Sequence, residues 1–587
     1  MRPRLWLGLG VATTLVAGIA VVALGDRETT VPPEVTASPA LAAFDSCPAA
    51  LEGFRSAARN KTYWFGEQAV PDRGSGDARA AAPEAQEHSG TNNHEAGVQE
   101  GDLVKTDGRR VVTLSGSRLR VVDVASKTVT ATVDLPGGSA AGELLLAGDR
   151  ALILGAPGEA VMRPPNARWD RPAGTEIVLV DLTGSGRVIG TLEVDGAYVA
   201  GRQTGNLARV VVRSTPQVPA RTPDTAPIED WLPRYRLDTG GRVSEGSLVD
   251  CTRISHPDGY TASSMLTVLT FDLLGEIGRG DPVSIVADGN DVYATETSLY
   301  VAEQSASRVD RGNSFGDTGI HQFDISQPGP PKHVASGRVD GLLLNQYAMS
   351  EHAGHLRVAT TLSGERGDSE SAVTVLARRD NRLDTVGRVD GLGRGERIHG
   401  VRFVGPVGYV VTFRQTDPLY TVDLSDPARP RATGELKITG YSAYLHDVGN
   451  NRLIGVGQEA DTSGRRLGTQ VSLFDVADPA APRRLAQHHV PDSGTEVESD
   501  PHAFLFWPKD NLVVVPLSST SATETTGGAM VLRLGDGGFT ELGVVRHDSA
   551  EVRRSLVIGS ELWTVSEAGA MVSALSGLTR QAWIPLR

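Results

Sequence analysis

Three histidines stand in similar surroundings: His399 in ERIHGVRF, His446 in SAYLHDV and His502 in SDPHAFLF. Imidazoles gathered at one point can ligate a metal, move a proton or, when charged, hold an anion. Each precedes an apolar hairpin, and the hairpins give the phase in which to compare them. Phe403, Asp447 and Phe506 each lie six residues before the opening of the next strand at Tyr409, Leu453 and Leu512. Four residues earlier stand His399, Ala443 and His502, so His446 is three positions out of phase and a three-histidine ring fails. The same register in the last repeat places Arg553 at the equivalent point. His399, His502 and Arg553 are therefore the candidate ligand-binding set, suited to an anion. The plainer reading is that they are hydrogen-bonded residues at strand starts. Two histidines make an incomplete ligand set, so neither a metal nor a cofactor is assigned.

Glu95, Glu100, Asp102 and Asp107 crowd the segment leading into the first repeat. Calcium needs many oxygens in a compact loop, and the D-x-D-x-D-G pattern is absent. These acids read as solvated turn residues and as salt bridges that close the molecule on itself. Arg414 and Asp417 read as a structural pair shaping the turn before Tyr420. Walker A, H-E-x-x-H, EF-hand, G-x-S-x-G and paired C-x-x-C signatures are all missing, and no catalytic residue is assigned. Cys47 and Cys251 are the only cysteines. Without nearby histidine or cysteine partners they favour a disulfide over a metal site.

The elements that must position these residues are short strands. From about residue 97 one unit returns: an apolar strand, a tight turn, a second strand, a third ending in hydrophobe-Asp-hydrophobe, and a final strand. The triplet carries Asp123, Asp181, Asp272, Asp324, Asp423 and Asp475. Three of these are followed by proline-marked turns, at 326–331, 425–430 and 477–482. Proline cannot donate to a sheet ladder, so each such turn separates two strands. Asp423 and Asp475 are 52 residues apart, and a period near 50 made of short strands marks propeller blades. Candidate units start near 98, 143, 197, 283, 346, 397, 442, 502 and 552. Rings usually have about four to eight blades. The expectation is therefore one ring of about eight four-stranded blades, in a range of seven to nine, with either the first and last stretches sharing a blade or one of the nine units wrongly divided. Residues 214–248 read as an insertion between blades, in which Trp231 and Tyr235 either dock on the ring or face outward.

Three segments carry a resemblance. They are Thr91-Asn92 with GVQEGDLVKTDG at 97–108, VVTFRQTDPLYTVDLSDP at 410–427, and AFLFWP at 503–508. In them the chain resembles a family of secreted or membrane-anchored bacterial and archaeal β-propeller domains, distantly related to WD repeats. The resemblance covers nearly everything after Phe44 and implies a fold and a location. It carries no established activity and transfers no catalytic residue.

At the other end, Arg2 and Arg4 precede an uncharged run from Leu5 to Gly25. As a helix this run would reach about 30 Å, enough to cross a bilayer with the arginines left in the cytoplasm. Residues 1–25 read as an uncleaved anchor, or alternatively as a cleaved signal. Both place the bulk outside the cytoplasm, single-pass in the cell membrane or secreted. Residues 26–43 read as a linker, 44–96 as a short helix with an irregular segment packing on the propeller, and 97–587 as the propeller. A net charge of −14 disfavours nucleic acid, whose phosphates call for clustered lysine and arginine. The expected function is a non-catalytic scaffold binding a protein, ligand or cell-envelope partner; the alternative is a hydrolase or lyase at one mouth of the channel.

Overall fold

The computed structural model describes residues 41–59, 87–136, 142–156, 174–218, 223–257, 264–310, 313–363, 368–414, 417–519 and 527–587. The expected anchor and most of the expected linker lie outside the described residues. No helix among the described residues is long and apolar enough to cross a membrane.

Beside one helix, α1 (Cys47–Arg59), and single 3-10 turns, the described elements are strands. They form eight sheets, one of which is eight-stranded and consists of two four-stranded units side by side, giving nine units in chain order. The blades span 104–134, 143–195, 197–285, 291–340, 349–392, 397–438, 441–491, 505–546 and 554–585. The ring thus has nine blades rather than eight, and the first and last each supply all four of their strands. Nine is the upper end of the expected range: the nine units read from the sequence are nine separate blades among the described residues, with none shared and none wrongly divided. Ring size is set by the wedge angle between neighbouring sheets, and periodicity along the chain does not encode that angle.

Each blade is covered on both faces, which calls for apolar residues at successive positions rather than alternating ones. Leu512 to Val515 show how this works. Val513 and Val515 pack toward blade 7, while Leu512 and Val514 pack toward blade 9. The ring closes where Val104, Val111 and Val122 of blade 1 meet Leu556, Trp563 and Val572 of blade 9.

The repeated aspartates have a local cause. Asp181, Asp324, Asp423 and Asp475 each accept the backbone N–H two residues on, capping the turn after the third strand. Asp423 and Asp475 also pair with Arg431 and Arg483 on the fourth strand. The proline turns then seat on the preceding blade. A Cβ at Gly434 of blade 6 would lie 2.3 Å from the Pro479 carbonyl of blade 7, so only glycine permits that approach.

The insertion lies inside blade 3 rather than between blades. It separates that blade's second strand, Leu207–Ser214, from its third, Met265–Asp272. Its hairpin, Arg234–Asp238 and Val243–Ser247, crosses to extend the outer edge of blade 2. Trp231 is buried and stacks on Phe54 of α1 at 5.8 Å. In α1, Ala50, Phe54 and Ala57 form the buried stripe. Cys47 and Cys251 are bonded, tying this helix to the insertion. Leu41–Ala43, read from sequence as linker, pairs as a strand with Ser255–Pro257 and belongs to the folded body.

Candidate functional site

Before the chain enters blade 1, residues 87–103 touch blade after blade around the channel. His88 bridges Ile558 of blade 9, and the Ser89 amide donates to the Val557 carbonyl at 2.7 Å. Asn92 donates to the Tyr444 hydroxyl of blade 7 at 3.0 Å and to the Pro501 carbonyl, on the loop into blade 8, at 2.9 Å. His94 stacks on Tyr347 at 4.8 Å, and Glu95 accepts from the Tyr293 hydroxyl of blade 4 at 2.8 Å. Gln99 and Glu100 pair with Gln203 and Arg202 on the inner strand of blade 3. Asp102 bridges Leu144 of blade 2. The segment thus takes its partners in ring order, from blade 9 round to blade 2, and the Glu100 side chain, which meets His502, Gln346 and Arg202, joins separate sides of the ring, so that the segment acts as a plug in the channel mouth.

Glu100 is the centre of this plug, 2% exposed. Its carboxylate lies 3.2 Å from His502 Nε2, 3.2 Å from Gln346 Nε2 and 3.9 Å from Arg202 Nε. The other ring nitrogen of His502 lies 3.0 Å from Asp500. Arg554 donates to Asp102 at 2.6 Å, to Glu496 at 3.2 Å and to Asp500. Lys105 donates to the Thr91 hydroxyl at 2.7 Å and to the Glu100 carbonyl. Gln346, Asp500 and His502 lie in the loops that lead into inner strands, so the network sits on the face of the ring where those strands begin, the upper face.

The charge states follow from these contacts. Burial alone would keep His502 neutral, but Asp500, Glu100 and Asp102 outweigh it and raise its pKa well above 6.5. Burial likewise opposes ionisation of Glu100, yet Arg202 and His502 hold its carboxyl low. Asp500 is held low against burial by Arg554 and His502. Lys105 is lowered to about 8 by burial, against the pull of Asp102 and Glu100. A protonated imidazole with both nitrogens facing carboxylates has no lone pair with which to act as a general base. Among the described residues no group of three or more histidine, cysteine or carboxylate side chains is placed to hold a metal ion.

Of the three residues phased from sequence, the structure brings two near one another and leaves the third apart. His502 is in the network, and Arg553 joins its edge by donating to Glu496 at 2.7 Å. His399 instead sits among aromatic rings, 4.9 Å from Tyr441 and 5.5 Å from Phe413, with its pKa lowered to about 4 by burial and by Arg466. The reason is local. His399 occupies a β-bulge on the inner strand of blade 6, between Ile398 and Gly400. In blade 8 the strand starts only at Leu505, and a 3-10 turn at Pro501–Ala503 swings His502 toward the axis. Arg554, Arg202, Gln346, Glu496 and Asp500 were not singled out from sequence. The Arg553-Arg554 pair and the Asp500 that precedes His502 were the available signals.

Beside the network a cleft of about 630 Å³ opens on the upper face between the loops into blades 5 and 8. Asn345, Arg466, Asp492, Thr495, Glu498 and Ser518 line it. Glu498 accepts from the Tyr441 hydroxyl at 2.9 Å, which links the cleft wall to the ring cluster around His399.

A sequence family described as a beta propeller domain matches residues 88–578. An uncharacterised protein of Methanocaldococcus jannaschii is 37% identical over 254 residues, 43% of this chain and 38% of its own length. Another, of Archaeoglobus fulgidus, is 40% identical over 178 residues, 30% of this chain and 27% of its own. The chain therefore spans well under half the length of these relatives. Among solved structures, a crystal structure of the eukaryotic initiation factor aligns over 82% of this chain and 91% of that one, at 9% identity and a TM-score of 0.36. A protein from Lactobacillus plantarum aligns over 55% and 93%, at 12% identity and a TM-score of 0.30.

Proposed function

The chain belongs to the beta propeller domain family, and from that premise we propose that it is a non-catalytic binding scaffold, tethered to the membrane and facing out of the cytoplasm. The observation that carries the binding role is the plug. Its partners within the ring occupy Glu100, Asp102, Asp500, His502 and Arg554, the groups that could otherwise perform acid–base chemistry. The polar cleft on the upper face is the docking place, lined by the loops that the network holds in position. His502 and Arg553 serve it by fixing the loop at 492–503 through Asp500 and Glu496, and His399 packs on Tyr441, which holds Glu498 of the same loop.

The location rests on the apolar run at 5–25 and on the Cys47–Cys251 bond, which suits an oxidising compartment. The partner is a protein or ligand of the cell envelope. Photo-crosslinking side chains placed at Asn345 and Ser518, with one at exposed Leu274 on the opposite, lower face as control, test the reading in intact cells. A single crosslinked partner is expected from the two cleft positions and not from the control. Equal yields from all three, or no adduct from the cleft, would overturn it.

A further inference from the structure

Residues 41–59 form an arm fastened to blade 3 from outside the ring. Leu41–Ala43 pairs antiparallel with Ser255–Pro257, and that strand joins the blade through two parallel pairs, Ile254–Ser284 and Ser255–Ile285. Behind it α1 sets Phe54 between Phe44, at 5.3 Å, and Trp231, at 5.8 Å. Of the buried members of this apolar cluster, only Met265 of blade 3 and Val286, just past its last strand, come from outside the arm and the insertion. A helix of 13 residues is marginal by itself, so the arm keeps its shape through what it is fastened to. The Cys47–Cys251 bond is the covalent part of that fastening.

The two halves of the bond are not equivalent. Cys47 opens α1 and is exposed, whereas Cys251 is 2% exposed, in a 3-10 turn that belongs to the apolar cluster. Thiol–disulfide exchange needs a thiolate to reach one of the two sulfurs, and exposed disulfides are the ones that exchange. An incoming thiolate therefore meets the bond from the Cys47 side. Cys47 also stands in the first turn of a helix with no acidic residue in that turn, where the unpaired amides favour a departing thiolate.

We propose that the Cys47–Cys251 bond is a redox fastener: a dithiol reductant opens it and frees residues 41–59 from blade 3, while the ring stays closed. A thiolate of the reductant attacks Cys47 Sγ. A new S–S bond forms there, the Cys47–Cys251 bond breaks, and Cys251 leaves with the electron pair and takes up a proton. The reductant's second thiolate then attacks its own sulfur in the mixed disulfide and releases Cys47 as a thiolate, which is protonated in turn. The reductant ends as a disulfide, having given up two electrons and two protons, and the protein ends with two thiols. The ring stays closed because the contact between blades 1 and 9 uses none of these residues. The fastener is separate from the upper cleft and stands or falls without it.

The test uses the full chain without denaturant, with excess glutathione as a monothiol and dithiothreitol as a dithiol. After acid quenching, peptide mass spectrometry should find the glutathione adduct on Cys47 and not on Cys251. Dithiothreitol should free both thiols. Hydrogen exchange at the amides of Phe54 to Arg59 should then quicken by about a hundredfold or more, with the strand amides of Val111 and Val513 unchanged. The double variant Cys47→Ser, Cys251→Ser should show the same fast exchange with no reductant present. The proposal is overturned if the bond resists dithiothreitol until the ring unfolds, if glutathione is found on Cys251, or if reduction leaves α1 exchanging as slowly as before. It is equally overturned if Val111 and Val513 quicken together with α1, since the bond would then hold the whole ring and not the arm.

Discussion

His502 lies between Asp500 and Glu100 with both ring nitrogens engaged, and this makes its contribution to stability depend on pH. Its folded pKa is raised above the ordinary value of 6.5. The stabilisation is therefore complete below about 6.5 and is lost as pH rises through the folded value. In denaturant melts between about pH 5.5 and pH 9, the gap between the wild type and His502→Gln should hold steady at the acid end. Above about pH 6.5 it should narrow, by up to roughly 1.4 kcal/mol per pH unit. A gap that widens with pH contradicts the assigned charge state. The position of His502 was legible because hairpin phase fixes where each inner strand begins. Its partners were not, because Glu100 lies 402 residues away in the chain and Arg554 lies 452 from Asp102. Phase also could not separate a bulged strand at His399 from the 3-10 turn at His502.

At the scale of the element, the proline turns act as clasps between neighbouring blades. Pro479 and Pro482 of blade 7 crowd Gly434 of blade 6, and Pro427 and Pro430 of blade 6 crowd Gly387 of blade 5 in the same way. Gly434→Ala should destabilise by about 1–3 kcal/mol, as overpacking does. Gly537, which has open space around it, makes the matched control, and Gly537→Ala should stay within about 0.5 kcal/mol of the wild type. Equal melting of the two variants would show that the clasp does not bear on stability. The turns themselves were readable from Asp423-Leu-Ser-Asp-Pro and Asp475-Val-Ala-Asp-Pro, because an aspartate that caps its own turn acts locally. Where each turn docks was not readable, since the contact is made with the preceding blade.

At the scale of the molecule, the nine blades are held together in two ways. Apolar faces join neighbours around the rim, and the segment at 87–103 ties blades 1, 2, 3, 4, 7 and 9 across the axis. The near-50-residue period predicted the ring; the acids at 100 and 102, read as solvated turn residues and ring-closing salt bridges, do form ion pairs with His502 and Arg554 but are buried rather than solvated. The crossing was not predicted, because its residues are polar and have no strand periodicity. Native-state hydrogen exchange on the full chain measures the crossing directly. The amides of Ser89, His94, Glu100 and Asp102, bonded respectively to Val557, Glu100, Asn93 and Leu144, should exchange as slowly as the strand amides of Val513 and Val514. Exchange of these four at the rate of open loops, with the blade strands still protected, would contradict a plugged channel and with it the account of the site.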